Sequence, residues 1–520
     1  MKKIAAALLL STLVTSPVMA ETIRWARVAD APSLDPHSNN QSIAINYLHH
    51  IYETLIETDV DGNFLPRLAT EWFVKEDNPN VWVFKLREGV TFHDGAAFTA
   101  EDAIFSIQRA AGPQSQFRGL HAGVVNMTAV DDYTLEVELA GPSPIYPNNL
   151  TTTFMMDKGW AEANDSVIAQ DATAGTTNFA VRNANGTGPY ILESREQDVR
   201  SVMVLNENHW ADAPEVTRIE YYTIADAATR SAALLSGEVD VILDLPVQDI
   251  DRLSAADGIK VVTGPENRVI YFSYRIDGEL KNAGAGTPSP FGNPLVREAV
   301  ELAVDRDAIQ MMIMRGQSVP TDLILPPFVN GYTEELVAYT KPDLDRARAL
   351  MAEAGYADGF DITLDTPNNR YINDEAIAQA VAAMLGQIGI RVNLEARPIA
   401  QHSPYILSGD SDFYLLGWGV PTFDSAYTFN NLMHSKTESL GAYNTSGYAN
   451  PDVDALIEAI EVEVDLDKRN AMIGEIWELV QADRPVLSIH NQVLAYAMRD
   501  GVNLAVDPSD APRMYNVTFD

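Results

Sequence analysis

The 520-residue chain contains no cysteine. Disulfide bonds are therefore excluded, and so are zinc sites built from clustered cysteine and histidine ligands. A chain of this length can form two or three domains, each with a large hydrophobic core. We therefore expect core burial alone to stabilise the fold.

Positive charge is also scarce. The sequence has 36 Lys and Arg residues against 73 Asp and Glu residues, a formal net charge of −37 at pH 7. We expect no nucleic-acid partner, because a phosphate backbone would be repelled, and anionic membrane surfaces are disfavoured for the same reason. The excess of acidic residues favours solubility in a crowded or saline compartment over a cationic ligand as its explanation.

After residue 20, no stretch reaches the roughly 18 uninterrupted apolar residues of a membrane-spanning helix. The first 20 residues have the pattern of a secretory signal peptide: Lys2 and Lys3 precede an apolar run at residues 4–10, and small residues follow at 18–20. We expect cleavage before Glu21. No cysteine follows that site, so we expect no lipid anchor and a free protein in the periplasm of a bacterium with two membranes.

Motifs of catalysis and of tight metal binding are missing. The sequence has no GxSxG elbow, no P-loop, no dinucleotide fingerprint and no HExxH. The adjacent His49 and His50 would diverge by about 100° on a helix, so they cannot converge on one metal ion unaided. We expect no enzyme activity, no cofactor and no resident metal.

In so acidic a chain, acid pairs are common. Glu53 with Glu57, and Glu461 with Glu463, are interpreted as solvated faces and not as acid/base pairs.

The pattern of elements is mixed α/β. Thr99 and Asp102 form a capping box that predicts a helix start. Alternating or apolar runs predict strands at 269–274 and 486–490. A helix is predicted from residue 293 to about residue 315, since Asn293 and Pro294 cap and begin it and Gly316 ends it.

The stretch at residues 414–425 is the one that we expect the rest of the chain to serve. An apolar run typical of a buried strand ends in Gly417-Trp418-Gly419. Glycine on both sides of the tryptophan allows a close approach by other atoms, and the indole offers a flat apolar wall with one N–H donor. Two interpretations stand at this point: Trp418 faces a ligand at a strand end, or it caps a core.

A family resemblance is carried by several motifs in order along the chain. They are FKLREGVTFHDG (84–95) with FTAEDA (98–103), TGPY (187–190), NENHW (206–210) with LSGEVD (235–240), VREAV (296–300) with VDR (304–306), and GW (417–418) with NPDVD (450–454). Together they resemble family 5 extracellular solute-binding proteins, the peptide and nickel class of receptors for ATP-binding-cassette importers. The resemblance runs from about residue 22 to the C-terminus.

The resemblance implies a fold and a domain map. The fold is α/β, the two-lobed periplasmic binding protein fold with a two-stranded hinge and an additional domain inserted in the first lobe. The expected divisions are a signal peptide at 1–20, lobe I at 21–57 with 188–265 and 489–520, the inserted domain at 58–187, and lobe II at 266–488.

The resemblance also implies which residues meet a ligand. In peptide-binding relatives, an aspartate three positions after the tryptophan takes the ligand's ammonium group; here that position is Pro421, which carries no charge. Two alternatives follow. Either Asp424, the nearest carboxylate, does the same work, or the ligand has no free amino group at that point.

Other positions follow from the same comparison. Arg370 matches the position where dipeptide-binding relatives hold the ligand carboxylate, and Tyr371 beside it offers a stacking surface. The alternative is an ordinary surface or capping arginine. The first-lobe loop supplies Asp30, Ala31 and Ser33, which face the cleft in the family; Asp30 alternatively only caps a turn.

Tyr271 and Tyr274 alternate with Phe272 on a predicted strand, and we predict that the two tyrosines share a face that points to the cleft; the alternative is a place in the core.

The predicted function is therefore a monomeric periplasmic receptor that captures a short peptide or an amino-acid derivative and delivers it to an inner-membrane ABC permease. The alternatives in the same class are an oligosaccharide, an opine-like compound or a nickel chelate. Alternatives from other classes are a secreted hydrolase and a chaperone-like protein that binds unfolded segments.

Overall fold

The computed structural model describes residues 21–171, 177–283, 286–337, 339–437 and 440–520. The predicted signal peptide lies outside the described residues. The strands are β1 (Glu21–Arg27), β2 (Ile56–Thr58), β3 (Phe64–Pro66), β4 (Ala69–Lys75), β5 (Asn78–Leu86), β6 (Val124–Asp131), β7 (Thr134–Leu139), β8 (Tyr190–Glu196), β9 (Arg200–Leu205), β10 (Val216–Thr223), β11 (Val241–Ile242), β12 (Ile259–Tyr274), β13 (Ser318–Pro320), β14 (Phe360–Pro367), β15 (Ile390–Arg397), β16 (Phe413–Trp418), β17 (Val486–Arg499), β18 (Val502–Asn503) and β19 (Thr518–Phe519).

The helices are distributed along the whole described chain. They are α1 (Ser42–Leu48), α2 (Ala100–Ala110), α3 (Tyr146–Asn149), α4 (Lys158–Ala163), α5 (Ala227–Ser236), α6 (Ile250–Ser254), α7 (Pro294–Ala303), α8 (Arg306–Ala308), α9 (Leu344–Glu353), α10 (Asp374–Gly386), α11 (Ile399–Leu407), α12 (Ser425–Thr428), α13 (Pro451–Ile460) and α14 (Leu466–Asp483). Two π-helical turns, Ile309–Ile313 and Phe429–Met433, follow α8 and α12. No helix in the described ranges has the length and apolar character needed to cross a membrane.

One large mixed sheet runs through both halves of the molecule. Its strands lie in the order β15-β14-β16-β12-β17-β11-β1-β10-β9-β8, with β13 paired to β17. We call the half around β1 and β8 to β11 lobe I, and the half around β13 to β16 lobe II. The capping box at α2 is present as predicted.

The two lobes are joined by β12 and β17, which are much longer than predicted. Residues 259–265 of β12 pair with 493–499 of β17 on the lobe I side, and 269–273 pair with 486–491 on the lobe II side. The register shifts between Pro265 and Val269, so the strand is irregular where it passes from one lobe to the other. This irregular stretch places Glu266, Asn267 and Arg268 between the lobes.

A separate four-stranded antiparallel sheet, in the order β4-β5-β7-β6, lies outside the large sheet. Helix α2 packs on it, and its core contains Phe84, Phe98, Ile107 and Leu135, all fully buried. We call this part the inserted sheet. The chain leaves lobe I after α1 and returns to it at β8, so the inserted sheet is continuous in sequence while lobe I is not.

The lobe II half of the sheet is covered on both faces. Alternate residues of β12 enter different cores, since side chains of a strand point to opposite faces. Ile270, Phe272 and Tyr274 belong to one core, and Val269 and Tyr271 belong to the other. The prediction that Tyr271 and Tyr274 share a face is therefore wrong, because residues three apart on a strand face opposite ways.

The predicted helix from 293 to about 315 is interrupted. Helix α7 ends at Ala303, and Val304 is extended with φ −94° and ψ 115°. The Asp305 carboxylate then caps a new turn by accepting from the Ala308 N–H at 2.9 Å. The break turns Arg306 into the protein, where it is 1% exposed and donates to the backbone oxygens of Thr321 and Ser488.

Candidate functional site

The two lobes meet along a cleft that is closed at several points. Asn148, in α3 beside the inserted sheet, donates to the Thr422 backbone oxygen of lobe II at 2.6 Å. Gln248 of lobe I donates to the Asn373 side chain of lobe II at 3.0 Å. A methyl group built on Gly62 would lie 3.1 Å from the Phe423 ring, so the hairpin between β2 and β3 touches lobe II as well.

A cavity of about 650 Å³ lies where the inserted sheet faces lobe II. We call it the chamber. Its volume is in the range of small-molecule sites. Its walls combine apolar groups such as Leu120 and Tyr146 with side-chain amides, and the lobe II wall consists mainly of the loop after β16 and the π-helical turn Phe429–Met433. Pro421 and Tyr427 belong to this wall.

The glycines around Trp418 permit two close approaches. A methyl group on Gly417 would lie 2.6 Å from the Tyr371 ring, and one on Gly419 would lie 2.8 Å from the Asn267 backbone oxygen. Both distances are shorter than real contacts of a methyl carbon. The glycines therefore let Tyr371 and the irregular stretch of β12 pack directly against the end of β16.

Trp418 itself is 4% exposed and lies behind the chamber wall. Its Nε1–H donates to Thr428 Oγ1 at 2.9 Å. Its ring contacts Tyr427 and Tyr443, with centroids 5.6 and 5.3 Å away. Trp418 thus belongs to a core and supports Tyr427, which lines the chamber; a ligand contact by Trp418 stays a prediction.

Arg370 and Tyr371 lie in the loop between β14 and α10. Strands β14 and β16 pair in parallel, so this loop and the loop after Trp418 leave the same edge of the sheet. The Asp374 carboxylate fixes the loop by accepting from the backbone N–H groups of Arg370 and Tyr371 at 3.0 and 3.1 Å. Arg370 is exposed and its guanidinium lies 5.3 Å from the centre of the Tyr371 ring.

A second guanidinium lies near Arg370. Arg268 lies 5.6 Å from the centre of the same Tyr371 ring and forms an ion pair with Glu266 at 2.8 Å. Although the residue as a whole is exposed, desolvation of its guanidinium by the surrounding protein, followed by the positive charge of Arg268, lowers the pKa of Arg370. In the part of the chain that the structure describes, Arg370 forms no ion pair, so its fork is open to a carboxylate.

Below these two arginines, lobe I contributes a buried ion cluster. Arg27, 1% exposed, donates to Asp244 at 2.8 Å and to Asp510 at 2.6 Å. Both aspartates have left-handed backbones, with φ of 54°. Burial raises the pKa of Asp510 to about 7, with Asp244 raising it further and Arg27 opposing the shift. Motif reasoning missed Arg268 and this cluster, because their convergence depends on strands distant in sequence.

Asp30, Ala31 and Ser33 are buried within lobe I. The Asp30 carboxylate accepts from Arg195 Nη2 at 3.0 Å and from the backbone N–H of Ala31 at 2.7 Å. Ser33 Oγ donates to the Gln170 side chain at 3.0 Å. This geometry favours the turn-capping alternative for Asp30, and a ligand contact by these three residues stays a prediction.

Asp424 is 3% exposed and fully engaged inside lobe II. Its two oxygens accept from the two terminal nitrogens of Arg469, both at 2.7 Å. It also caps α12 by accepting from the Ala426 N–H at 2.9 Å. Both oxygens of Asp424 therefore accept hydrogen bonds inside lobe II, and the residue anchors the loop after β16. Tyr271 is likewise fully buried.

The acid pairs are not the solvated faces that we predicted. Glu53 and Glu57 are each 6% exposed. Glu53 accepts from Trp210 Nε1 at 3.1 Å, and Glu57 pairs with Arg513 at 2.8 Å. Glu461 is only partly exposed and lines the chamber. Tertiary partners that lie far away in sequence bury Glu53 and Glu57 and partly cover Glu461.

The histidine pair has structural partners. His50 Nδ1 bonds the Tyr47 backbone oxygen at 3.2 Å, and its Nε2 accepts from the Met514 N–H at 2.9 Å. The His49 ring packs on Phe154, with centroids 4.9 Å apart. Burial lowers the pKa of His50 to about 4, which keeps it neutral. Among the described residues, no group of three or more acids and histidines is placed to hold a metal ion.

Three comparisons relate the chain to known proteins. The family described as "Bacterial extracellular solute-binding proteins, family 5 Middle" matches residues 63–439. The glutathione-binding protein GsiB of Pectobacterium atrosepticum is 26% identical over 498 residues, which cover 94% of this chain and 92% of that protein.

Two solved structures share the fold. The dipeptide binding protein from Pseudoalteromonas sp. SM9913 in complex with Met-Leu has a TM-score of 0.78 at 23% identity, covering 96% of this chain and 100% of that one. AgaA from A. tumefaciens R10 in complex with agropinic acid has a TM-score of 0.78 at 21% identity, covering 96% and 99%. The architecture is therefore the two-lobed periplasmic binding protein fold.

Proposed function

Because the chain belongs to the family 5 bacterial extracellular solute-binding proteins, the substrate-binding receptors of ABC importers, we propose that its ligand is a short peptide or an amino-acid derivative. The ligand is captured between the lobes, with its carboxylate on Arg370. The protein is a monomer in the periplasm, freed of residues 1–20 and without a lipid anchor, and it has no catalytic role.

The observation that carries this proposal is the unpaired guanidinium of Arg370 at the mouth of the cleft. Arg268 beside it is paired with Glu266, whereas Arg370 has no carboxylate partner among the described residues. Two adjacent guanidiniums repel one another unless anions intervene. A carboxylate on Arg370 relieves that repulsion and gains a bidentate geometry. Tyr371 stacks against both cations and keeps them at this edge of the sheet.

Closure supplies the transport signal. The ligand contacts lobe II through Arg370 and the opposite wall through the chamber, so it gains its full binding free energy only when the lobes are shut. Rotation of the lobes takes place at the irregular stretch of β12 and its partner stretch on β17. The permease then receives the closed form. In this reading, lobe I comprises 21–57, 188–265 and 489–520, the inserted domain 58–187, and lobe II 266–488.

Related proteins support the ligand class. One relative is named for glutathione, and one solved neighbour holds the dipeptide Met-Leu. Both ligands have carboxylates and peptide bonds. A second candidate is an opine-like compound, since another neighbour holds agropinic acid and the uncharged Pro421 lines the chamber here.

Thermal-shift screening of the full-length protein tests the proposal. The panel contains dipeptides, tripeptides, glutathione, opines and neutral oligosaccharides. Stabilisation of about 2.7 kcal/mol is expected at a ligand concentration of a hundred times Kd. We expect shifts from peptides with free carboxylates and none from peptide amides. Shifts produced by opines alone favour the second candidate, and shifts from neutral oligosaccharides alone reject a carboxylate ligand.

A further inference from the structure

The chamber carries one acidic side chain and no basic one. Of the described residues that line it, Glu461 is the single acid, and none is Lys, Arg or His. The remaining polar groups are hydroxyls and side-chain amides, including Asn430 and Asn431 of the π-helical turn. Glu461 therefore sets the charge of this cavity.

The negative charge of Glu461 is stabilised by a hydrogen bond and not by an ion pair. Its Oε1 accepts from Asn430 Nδ2 at 2.8 Å. The nearby guanidinium of Arg469 has both terminal nitrogens on Asp424 at 2.7 Å and its Nε on the Ile460 oxygen at 3.1 Å. Within the described ranges, Glu461 has no ion pair, so its second oxygen is available to a group inside the chamber.

The position of Glu461 on its helix adds to its need for a cation. It follows α13 directly, at the C-terminal end, where the helix dipole is negative and a carboxylate is disfavoured. Burial, only partly offset by the Asn430 hydrogen bond and Arg469, raises the pKa of Glu461. An acid held in three unfavourable conditions inside a cavity is typical of a functional group and not of a stabilising one.

The loop after β16 offers no alternative acceptor. Pro421 lines the chamber but has no charge, and the Asp424 carboxylate is occupied by Arg469. We propose, on the basis of the proposed function, that Glu461 receives the positively charged amino group of the ligand. The ligand is then zwitterionic, with its carboxylate on Arg370 and its ammonium group on Glu461.

An aromatic row connects the two ends. Arg370 lies on Tyr371, whose ring packs against Gly417. The next residue, Trp418, contacts Tyr427 of the chamber wall. Trp418 is itself buried, so a peptide that spans the two ends meets the partly exposed Tyr371 and Tyr427 and places its two charges at opposite ends.

The test compares Glu461→Gln with Glu475→Gln, which removes the same charge from an exposed position on α14. The probes are Met-Leu, glutathione and their N-acetylated forms, measured by calorimetry. We expect Glu461→Gln to weaken binding of the free-amine peptides by about tenfold or more, and to leave the N-acetylated forms unchanged. Glu475→Gln should match the parent protein with every probe.

Three results of this comparison overturn the inference. If the parent protein binds the peptides and Glu461→Gln leaves their affinities unchanged, Glu461 is not the acceptor, and the proposed function survives. An equal loss for free and acetylated peptides makes Glu461 a structural residue. If no peptide binds the parent protein, the proposed function fails and this inference fails with it.

A measurement on the unsubstituted protein tests the same inference without depending on whether the variant folds. The ratio of affinities for free and N-acetylated Met-Leu should fall as pH is lowered and Glu461, whose pKa burial raises, is protonated. A ratio that is constant from pH 7.5 to 4.5 also overturns the inference.

Discussion

Asn148 donates its side-chain N–H to the backbone oxygen of Thr422 at 2.6 Å, although 274 residues separate them in sequence. The first residue belongs to α3 on the inserted sheet side, and the second to the loop after β16. Thr422 and the neighbours of Asn148 line the chamber. The bond therefore closes the cavity on one side and exists only when the lobes are together.

Asn148→Ala should weaken ligand binding without destabilising the empty protein. A hydrogen bond of this kind is worth about 0.5–1.5 kcal/mol, equivalent to a loss of about two- to tenfold in affinity. Calorimetry with the best peptide from the screen gives the affinity, and small-angle scattering gives the closed fraction. Asn126→Ala, at an exposed position on β6, is the matched control. Unchanged affinity together with a lower melting temperature would mean that the bond stabilises the inserted sheet only.

Arg370→Ala should abolish most of the affinity for carboxylate ligands. Loss of a charge-assisted bidentate contact corresponds to about 1.5–3 kcal/mol, or about 10–150-fold in Kd. Arg370→Lys should restore only part of it, because an ammonium group cannot form the fork. The melting temperature of the empty protein should stay nearly constant, since Arg370 has no ion pair to lose.

The control for this prediction is Arg182→Ala, which removes an exposed arginine distant from α10. A large drop in melting temperature for Arg370→Ala would assign Arg370 a structural role. Equal binding of peptide acids and peptide amides by the parent protein would also contradict the prediction.

Asp424→Ala should destabilise the protein strongly. It leaves Arg469, which is 2% exposed, without its bidentate partner, and removal of one member of a buried pair costs about 3–5 kcal/mol. Urea denaturation of the empty protein measures the loss. Asp361→Ala breaks a bidentate pair of similar distances with Arg391, and this pair lies in solvent. Its effect should be small because solvent screens exposed pairs.

The opposite pattern would favour the ligand-binding alternative for Asp424. In that case Asp424→Ala would lower peptide affinity and leave the free energy of unfolding close to that of Asp361→Ala.

Asp510 should make stability fall as pH rises through the weakly acidic range. Its pKa is raised to about 7 by burial, with Asp244 and Glu266 raising it and Arg27 lowering it. An unfolded aspartate has a pKa of about 3.9, so folding takes up a proton between about pH 4 and pH 7. The contribution of this group to the free energy of unfolding is therefore full below about pH 4 and lost by about pH 7.

Asp510→Asn removes this dependence and keeps the geometry. Asparagine tolerates the left-handed backbone of position 510 and still accepts a hydrogen bond from Arg27. Urea denaturation from pH 4.5 to 7.5 should show a shallower decline for Asp510→Asn than for the parent protein. The exposed control Asp500→Asn should follow the parent protein. Parallel curves for Asp510→Asn and the parent protein would show that Asp510 titrates alike in the folded and unfolded chains.

Motifs and local chemistry carried much of the prediction. Capping residues located α2, and the motif series indicated the family and the two-lobed fold. The glycines beside Trp418 indicated close approaches, which are made by Tyr371 and Asn267. Local patterns were misleading where burial depends on distant partners. Glu53, Glu57 and Glu461 have the spacing of solvated acids, and the periodic helix predicted from residue 293 breaks at Val304, which turns Arg306 into the protein.

By itself, the sequence determined the composition of the cores, the helix starts, the family and the presence of an arginine suited to a carboxylate. Only the tertiary structure decided which charges remain unpaired. Asp424 meets Arg469 and Arg268 meets Glu266, whereas Arg370 and Glu461 have no ion pair among the described residues. The physical reason is that an ion pair depends on distances of a few ångströms across the fold, and residue order does not contain those distances.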